Sequence, residues 1–201
     1  MSACIRPAEA FEFMPNDFFC RHQTEEIFGN DHPLEVDLGC GDGSFLLDMA
    51  QNYPDRNFLG VERLLGRVRT VSRGIEMRGL TNAKILRLES KYTLEYLLHE
   101  GSVSRLHLLC PDPWPKARHH KNRIVQQDFL HVVNKVLSTE GEFLFKTDHS
   151  GYFEWVCEEM QIFNKFSKLP WDDDSFYYPK TDFQRHWEKQ GKKIHQLRYK
   201  K

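Results

Sequence analysis

Short apolar runs alternate with amphipathic stretches along most of the chain. The apolar runs have the length of buried strands and lie at Leu34 to Leu38, Phe58 to Val61, Ala83 to Leu88, Arg105 to Leu109 and Gly141 to Lys146. The stretches that separate them have helical spacing and lie near 43–53, 64–79, 91–99, 123–137 and 150–160. This rhythm predicts an α/β fold with a doubly wound, mostly parallel sheet, which binds its ligands at the carboxyl ends of the strands.

Both ends of the chain depart from that rhythm. Residues 1–33 mix aromatic and polar side chains without a clear period, so we expect an arm that docks on a catalytic core formed by residues 34–201. After residue 161 come an apolar run to Phe166, a loop rich in Pro, Asp and Tyr, and a basic strand near Lys193 to Tyr199. Because no long crossover helix is predicted between these late strands, we expect an antiparallel pair at the sheet edge. No repeat or linker marks a second domain, so one domain over 1–201 is predicted.

Composition narrows the class of protein. The chain has 201 residues, of which 40% are hydrophobic and 28% charged, the balance of a globular protein. No apolar run approaches the roughly 20 residues of a membrane-spanning helix, and Glu9 and Glu12 interrupt the start, so we expect a cytoplasmic protein without membrane contact. The five cysteines are scattered and form no C-x-x-C pair, so no metal site is expected. A formal net charge of -1 argues against indiscriminate polyanion binding.

A glycine-rich segment follows the first predicted strand. It begins at Asp37 and reads acid-x-G-x-G-x-G, with Gly39, Gly41 and Gly43 at alternate positions. Glycines let the backbone turn tightly and approach a ligand closely. The dinucleotide fingerprint G-x-G-x-x-G would require glycine where the chain has Ser44. The spacing resembles instead the first motif of class I methyltransferases.

Two further acids follow the next two predicted strands. Glu62 comes after the second strand, where a carboxylate can accept hydrogen bonds from both hydroxyls of a ribose, and this would suit either S-adenosylmethionine or NAD. Glu89 comes after the third strand and has two interpretations. It is either an acid near the adenine of the cofactor or a charge that favours the N-terminus of the next helix.

A proline-framed acid, Asp112, follows the fourth predicted strand. The segment from Cys110 to Arg123 reads CPDPWPKARHHKNR. Prolines hold the carboxylate in place without strand or helix hydrogen bonds. Trp114 can wall a pocket, and the basic run can hold RNA phosphates, the alternative being a solvated helix face. The residues expected to contact RNA are Arg118, His119, His120, Lys121 and Arg123.

Together these motifs closely resemble the tRNA (guanine-N7-)-methyltransferase family, whose signature is Pro-Asp-Pro-Trp followed by a lysine and a basic stretch. The resemblance continues through Lys146-Thr147-Asp148 and Thr181-Asp182-Phe183-Gln184, and so covers about residue 34 to the C-terminus. It implies S-adenosylmethionine as cofactor, tRNA as partner, and methyl transfer to N7 of a guanine, at position 46 of the variable loop.

The resemblance also implies roles for individual positions. Asp112 is the implied catalytic residue. The implied cofactor-binding positions are Asp37, Gly39, Gly41, Gly43, Glu62, Glu89 and Asp112. The implied substrate-binding positions are Lys116, Asp148, Thr181, Asp182, Phe183 and Gln184. For Asp148 the alternative is an N-cap of the helix near Ser150.

Gln184 departs from the family pattern, which usually has glutamate at that position. A neutral amide cannot offer paired anionic oxygens to the N1–H and 2-amino group of guanine, so recognition would be weaker or shared with another acid.

The expected chemistry depends on alignment, because guanine N7 already carries a free lone pair and needs no deprotonation. A fixed carboxylate at Asp112 would stabilise the positive charge that develops on the purine. Two alternatives stay open. One is a methyltransferase of exocyclic amines, because Asp112-Pro113-Trp114 resembles the loops of adenine-N6 enzymes, although the second proline is missing. The other is a non-catalytic RNA-binding module. We expect a monomer and leave a homodimer open.

Overall fold

Seven strands form one sheet in the computed structural model, which describes residues 11–172 and 176–201. They are β1 (Leu34–Leu38), β2 (Asn57–Val61), β3 (Ala83–Leu86), β4 (Val103–Leu109), β5 (Leu137–Thr147), β6 (Ser167–Leu169) and β7 (His195–Lys200). Across the sheet their order is β3-β2-β1-β4-β5-β7-β6. The first five strands in that order are parallel, and β7 is antiparallel to both of its neighbours. The predicted doubly wound sheet with an antiparallel edge is confirmed.

Helices cover both faces of this sheet. They are α1 (Thr24–Phe28), α2 (Ser44–Asn52), α3 (Leu65–Arg78), α4 (Ser90–Tyr92, continued by a π turn over Thr93–Leu97), α5 (Gln127–Val136), α6 (Ser150–Phe163) and α7 (Asp182–Lys189). One hydrophobic cluster packs α2 and α3 on the sheet, and a larger one packs α5 and α6. All residues of β1 and β2 are buried, as expected for parallel strands covered on both sides.

The late part of the chain differs from the sequence prediction in two respects. The apolar run that begins at Gln161 belongs mostly to the end of α6, and the strand starts only at Ser167. In addition, α7 lies between β6 and β7, where no helix was predicted. Its N-terminus carries a capping-box spacing, since the Thr181 hydroxyl accepts a hydrogen bond from the backbone N–H of Gln184 at 2.9 Å. That spacing is the signal from which the helix could have been predicted.

The described part of the N-terminal arm, residues 11–33, pairs with the sheet and with the α4 segment. The backbone N–H of Phe13 donates to Ile85 O at 2.8 Å, and that of His22 donates to Leu97 O at 2.8 Å. Ile27 of α1 is buried in the larger hydrophobic cluster. Residues 1–10 lie outside the described residues. Within the described ranges, no helix has the length and apolar character needed to cross a membrane, and no cluster of three or more His, Cys, Asp or Glu could hold a metal.

Candidate active site

A cavity of about 510 Å³ lies where the strand order reverses, between the ends of β1 and β4. In open α/β sheets this switch point is where ligands bind. The cavity is lined by Asp37, Gly39, Cys40, Gly41 and Asp42 from the β1 side, Leu109 and Cys110 from β4, Arg67 from α3, and Thr181, Asp182, Phe183 and His186 from the α7 region. The glycine loop and the start of the proline-framed loop therefore meet at one cavity, which we call the switch-point cavity.

The glycines of the loop serve two different purposes. All three have left-handed backbone conformations, with φ of 69° at Gly39, 62° at Gly41 and 80° at Gly43. A Cβ built on Gly39 would meet no atom within 4 Å, so the backbone there leaves open space for a ligand. A Cβ on Gly43 would lie 2.7 Å from the side chain of Val71, so that glycine permits α2 and α3 to pack closely.

Asp37 gives the switch-point cavity a preference for positive charge. Its carboxyl is buried, and burial together with the nearby acids Asp42 and Glu62 raises its pKa to about 8. Each of these effects disfavours the ionised form in the absence of a cation. A positively charged ligand would reverse this balance, so a cationic cofactor fits the cavity.

Glu62 and Glu89 are held in different ways. Glu62 is buried, and its Oε1 accepts hydrogen bonds from the backbone N–H groups of Arg63 at 2.7 Å and Leu64 at 2.9 Å. Its Oε2 lies 3.5 Å from a guanidinium nitrogen of Arg67, a side chain that lines the switch-point cavity. Glu89 is exposed and caps α4 with both carboxylate oxygens. The sequence left two roles open for Glu89, an acid near the adenine or a charge at the N-terminus of the next helix. The structure shows it at the helix N-terminus.

The loop that carries Asp112 has two residues with strained backbone, one on each side of the acid. Cys110 and Trp114 have φ of 53° and 44°, a region that costs non-glycine residues roughly 1–3 kcal/mol. The backbone N–H of Cys110 donates to Lys146 O at 2.8 Å, which attaches the start of the loop to β5. Asp112 lies between the two strained residues and is exposed. Its carboxylate is therefore accessible on a backbone that the surrounding structure holds in place.

Arg123 was predicted to contact RNA, and the structure shows that this prediction is wrong. Its side chain is buried, its Nε donates to Pro113 O at 2.9 Å and its Nη1 donates to Gly151 O at 3.3 Å. The guanidinium also lies over the rings of Tyr152, at 5.0 Å, and Trp155, at 5.3 Å. A buried guanidinium with these partners does not face phosphate. It joins the proline-framed loop to the start of α6.

The rest of the basic run divides into exposed cations and packed histidines. Residues Ala117–Asn122 form a 3₁₀ helix. His119 lies edge-on to Trp114 at 6.0 Å, and His120 lies edge-on to Trp155 at 5.8 Å. The exposed cations of the run are Lys116, Arg118 and Lys121.

A second cavity, of about 770 Å³, lies at the end of β5 and the start of β7, and we call it the edge cavity. It is lined by Lys146, Phe153, Tyr178, Lys180, Gln184, Glu188, Lys192, Lys193, Ile194, His195 and Gln196. Asp148 follows β5, and its Oδ2 lies 3.3 Å from Nζ of Lys192. The N-cap of α6 is His149, whose Nδ1 accepts from the backbone N–H of Tyr152, so Asp148 is not the helix cap.

The four substrate-binding positions implied near the C-terminus are divided between the two cavities. Thr181, Asp182 and Phe183 line the switch-point cavity, whereas Gln184 is buried and lines the edge cavity. The Oε1 atom of Gln184 accepts from Nζ of Lys146 at 3.3 Å. The α7 region therefore contributes to the walls of both cavities.

A buried chain of polar groups, not predicted from the sequence, connects the sheet to the segment before α7. His107 Nε2 lies 2.9 Å from a carboxylate oxygen of Glu35, and His107 Nδ1 lies 2.8 Å from the hydroxyl of Tyr178. Burial lowers the pKa of His107 despite the neighbouring carboxylate. Burial also acts to raise the pKa of Glu35, but His107, Arg105 and Arg56 together hold it below its usual value. Because His107 and Tyr178 are 71 residues apart, no local pattern could have indicated this contact.

Comparisons with known proteins agree with this geometry. A family model described as a putative methyltransferase matches residues 31–197. A solved antibiotic-related methyltransferase superposes with a TM-score of 0.63 at 18% identity, over 96% of this chain and 98% of the other. The 16S rRNA methyltransferase KamB superposes with a TM-score of 0.62 at 14% identity, over 90% and 94%. Fold, cavity and family model define the chain as a methyltransferase of the doubly wound class.

Relatives in sequence narrow that class to one family. The tRNA (guanine-N(7)-)-methyltransferase of Syntrophotalea carbinolica is 33% identical over 178 residues, which cover 87% of this chain and 77% of the relative. The protein of the same name from Lactococcus lactis subsp. cremoris strain MG1363 is 32% identical over 193 residues, covering 92% and 87%. The chain belongs to the tRNA (guanine-N(7)-)-methyltransferase family.

Proposed function

We propose that this protein transfers a methyl group from S-adenosylmethionine to N7 of a guanine in tRNA, and that the target is guanine 46 of the variable loop. One observation carries the proposal. The switch-point cavity opens between the glycine loop and the first residues of the loop that holds Asp112, in a chain of this family. The relatives are named for methyl transfer to N7 of a guanine in tRNA.

The residues around the switch-point cavity suit S-adenosylmethionine, which supplies a methyl group on a positively charged sulfur. Asp37 is a buried acid that a cation would return to its ionised form. The open backbone at Gly39 allows close approach of a ligand. Oε2 of Glu62, which lies 3.5 Å from a guanidinium nitrogen of Arg67 in the cavity wall, is the proposed acceptor for ribose hydroxyls. Glu89 would act on the adenine side through the acceptor capacity that its two oxygens retain beside the helix cap.

Asp112 is the proposed catalytic residue. Guanine N7 has a free lone pair, so the enzyme needs no general base and has to align the acceptor atom. Positive charge moves onto the purine as the new bond forms, and a fixed carboxylate beside the ring stabilises that charge. The strained positions Cys110 and Trp114 on either side of Asp112 support this role, because strain of this kind collects at functional sites.

The exposed cations beside this loop are the proposed contacts to the tRNA backbone. Lys116, Arg118 and Lys121 project from the segment that follows Asp112, where their charge can neutralise phosphates. Asp148 and Gln184 would contribute to the substrate side from the edge cavity and its rim. We further propose that the protein acts in the cytoplasm as a monomer.

The test is incubation of the purified protein with unmodified tRNA transcripts and methyl-labelled cofactor, followed by nuclease digestion and mass spectrometry. We expect one N7-methylguanosine, mapped to position 46, and no label in a transcript with adenine at that position. Methylation of an adenine amino group would establish the exocyclic-amine alternative instead. Cofactor binding without transfer to any transcript would establish the non-catalytic RNA-binding module.

A further inference from the structure

The edge cavity holds one carboxylate among several cations. Of its described lining residues, Glu188 is the only acid, and the basic ones are Lys146, Lys180, Lys192, Lys193 and His195. Glu188 lies on α7 four residues after Gln184, so both side chains project from the same face of the helix. The cavity therefore offers a single anionic acceptor to a ligand with N–H groups.

The Glu188 carboxylate is held in place at both oxygens. Oε1 accepts a hydrogen bond from Nε2 of Gln184 at 2.8 Å, and Oε2 accepts one from Nζ of Lys180 at 2.7 Å. The hydrogen bonds from Lys180 and then Gln184 lower the pKa of Glu188, so the side chain is ionised at neutral pH. Its exposed fraction is 32%, so a ligand in the cavity can reach it.

Gln184 connects this carboxylate to the sheet. Its amide oxygen accepts from Nζ of Lys146 at the end of β5, while its amide nitrogen donates to Glu188. The amide has no second oxygen to offer, whereas each carboxylate oxygen of Glu188 has two lone-pair positions and retains acceptor capacity. Of the two neighbouring side chains, Glu188 is therefore the one able to accept two further hydrogen bonds.

We propose that Glu188 recognises the Watson–Crick edge of the target guanine by accepting hydrogen bonds from its N1–H and its 2-amino group, and that Gln184 positions Glu188 for this contact. The inference rests on the proposed function, because it takes the target base to be a guanine. Two N–H donors side by side on one edge match the two oxygens of a carboxylate. Adenine has no donor at N1 and would leave the Glu188 charge without that partner.

Two tRNA transcripts that differ only at the target base provide the test. One carries guanosine and the other inosine, which lacks the 2-amino group and keeps N7. Wild-type protein should methylate the inosine transcript with a kcat/KM about 10- to 100-fold lower, as expected when a charged acceptor loses one of its two donors on the base. Glu188→Gln should lower kcat/KM on guanosine by a similar factor and should reduce the preference for guanosine over inosine to less than about threefold.

Matched variants separate recognition from structural effects. Glu158→Gln makes the same change at an exposed site on α6 and should keep the wild-type preference for guanosine. If Glu188→Gln does not fold, Glu188→Asp, which withdraws the carboxylate by one methylene, replaces it and should also reduce the preference. An unchanged preference in the folded variant overturns the proposal.

Two further outcomes also overturn it. One is an equal loss on both transcripts in Glu188→Gln, which would make Glu188 a structural residue. The other is loss of the preference in Asp148→Asn but not in Glu188→Gln, which would assign the base edge to Asp148. Failure of the proposed function has a different appearance, since wild-type protein would then form no N7-methylguanosine on the guanosine transcript.

Discussion

The cofactor side and the substrate side of this molecule are built by different kinds of contact. On the cofactor side, Asp37 lies within β1 and Glu62 directly follows β2, where the adjacent backbone holds it. On the substrate side, the important side chains have distant partners. Gln184 reaches Lys146 across 38 residues of sequence, and Arg123 reaches Gly151 across 28. The two cofactor-side acids are therefore placed by the backbone next to them, although the walls of the switch-point cavity also include Arg67 and residues of the α7 region. The substrate-side contacts form only when distant segments pack together.

The two sides also achieve left-handed backbone in different ways. The cofactor side uses glycines such as Gly39 and Gly41, for which this conformation has no steric cost. The substrate side uses Cys110 and Trp114, each at a cost of roughly 1–3 kcal/mol. Contacts such as the edge-on packing of Trp114 and His119 help to offset that cost. Because Asp112 is not among the described residues that line the switch-point cavity, its mutation should change catalysis more than cofactor binding.

Asp112 should show the largest such separation. Asp112→Ala removes the carboxylate that stabilises charge on the purine, so kcat should fall by about 100- to 1,000-fold. The cofactor Kd should rise by less than roughly tenfold, since most of the switch-point cavity is unchanged. Single-turnover methylation and calorimetric titration of the cofactor measure the two effects. Turnover at the wild-type rate would remove Asp112 from the mechanism.

Mutation of Arg123 should have the next largest effect on kcat, because Arg123 holds the loop that carries Asp112 in position. Arg123→Ala removes the hydrogen bond to Pro113 O, and we expect kcat to fall by about tenfold or more. Arg123→Lys should not restore activity, because a lysine cannot reproduce the planar, two-sided donor arrangement.

The salt dependence of tRNA binding distinguishes this role from a phosphate contact. Lys121→Ala should reduce the slope of log K against log salt by about one, while Arg123→Ala should leave that slope unchanged. An equal reduction in both variants would return Arg123 to the RNA interface.

Mutation of Asp37 should have a moderate effect on cofactor binding, seen in how the cofactor affinity depends on pH. A cationic cofactor binds the ionised carboxylate, whose pKa in the free protein is raised to about 8. Binding should therefore release a proton and strengthen as pH rises, by up to about tenfold per unit below that pKa, with a plateau above it. The measurement is cofactor affinity by titration calorimetry at several pH values. Asp37→Asn should remove this contribution, and identical pH profiles for both proteins would contradict it.

Tyr178 should produce the smallest effect, on the substrate side. Tyr178→Phe removes the hydroxyl beside His107 and should lower the free energy of unfolding by about 1–2 kcal/mol. Because Tyr178 lines the edge cavity, KM for tRNA should rise by roughly threefold while the cofactor Kd stays constant. Denaturant unfolding and steady-state kinetics provide the measurements. Tyr177→Phe, at a half-exposed neighbour, is the matched control and should change neither.

The features predicted correctly from the sequence are those that neighbouring residues determine. Strand β1 has the predicted bounds, and the glycine loop meets the β4 loop at the switch point because parallel strands end at the same sheet edge. The role of Arg123 could not be predicted, since its residue type and basic neighbours equally fit a phosphate contact. Its burial depends on Gly151, Tyr152 and Trp155, which reach it only through the packing of α6.

By itself, the amino-acid sequence determined the sheet, the family and the local motifs, because hydrophobic period and glycine spacing act over a few residues. Only the tertiary structure decided which motif residues face a ligand and which hold the fold together. In the folded chain Arg123 is buried, and Thr181 and Gln184 line different cavities. Glu188 lies beside Gln184 and is the only acid among the described residues that line the edge cavity. Those choices depend on contacts between distant segments, and such contacts leave no periodic signal in the chain.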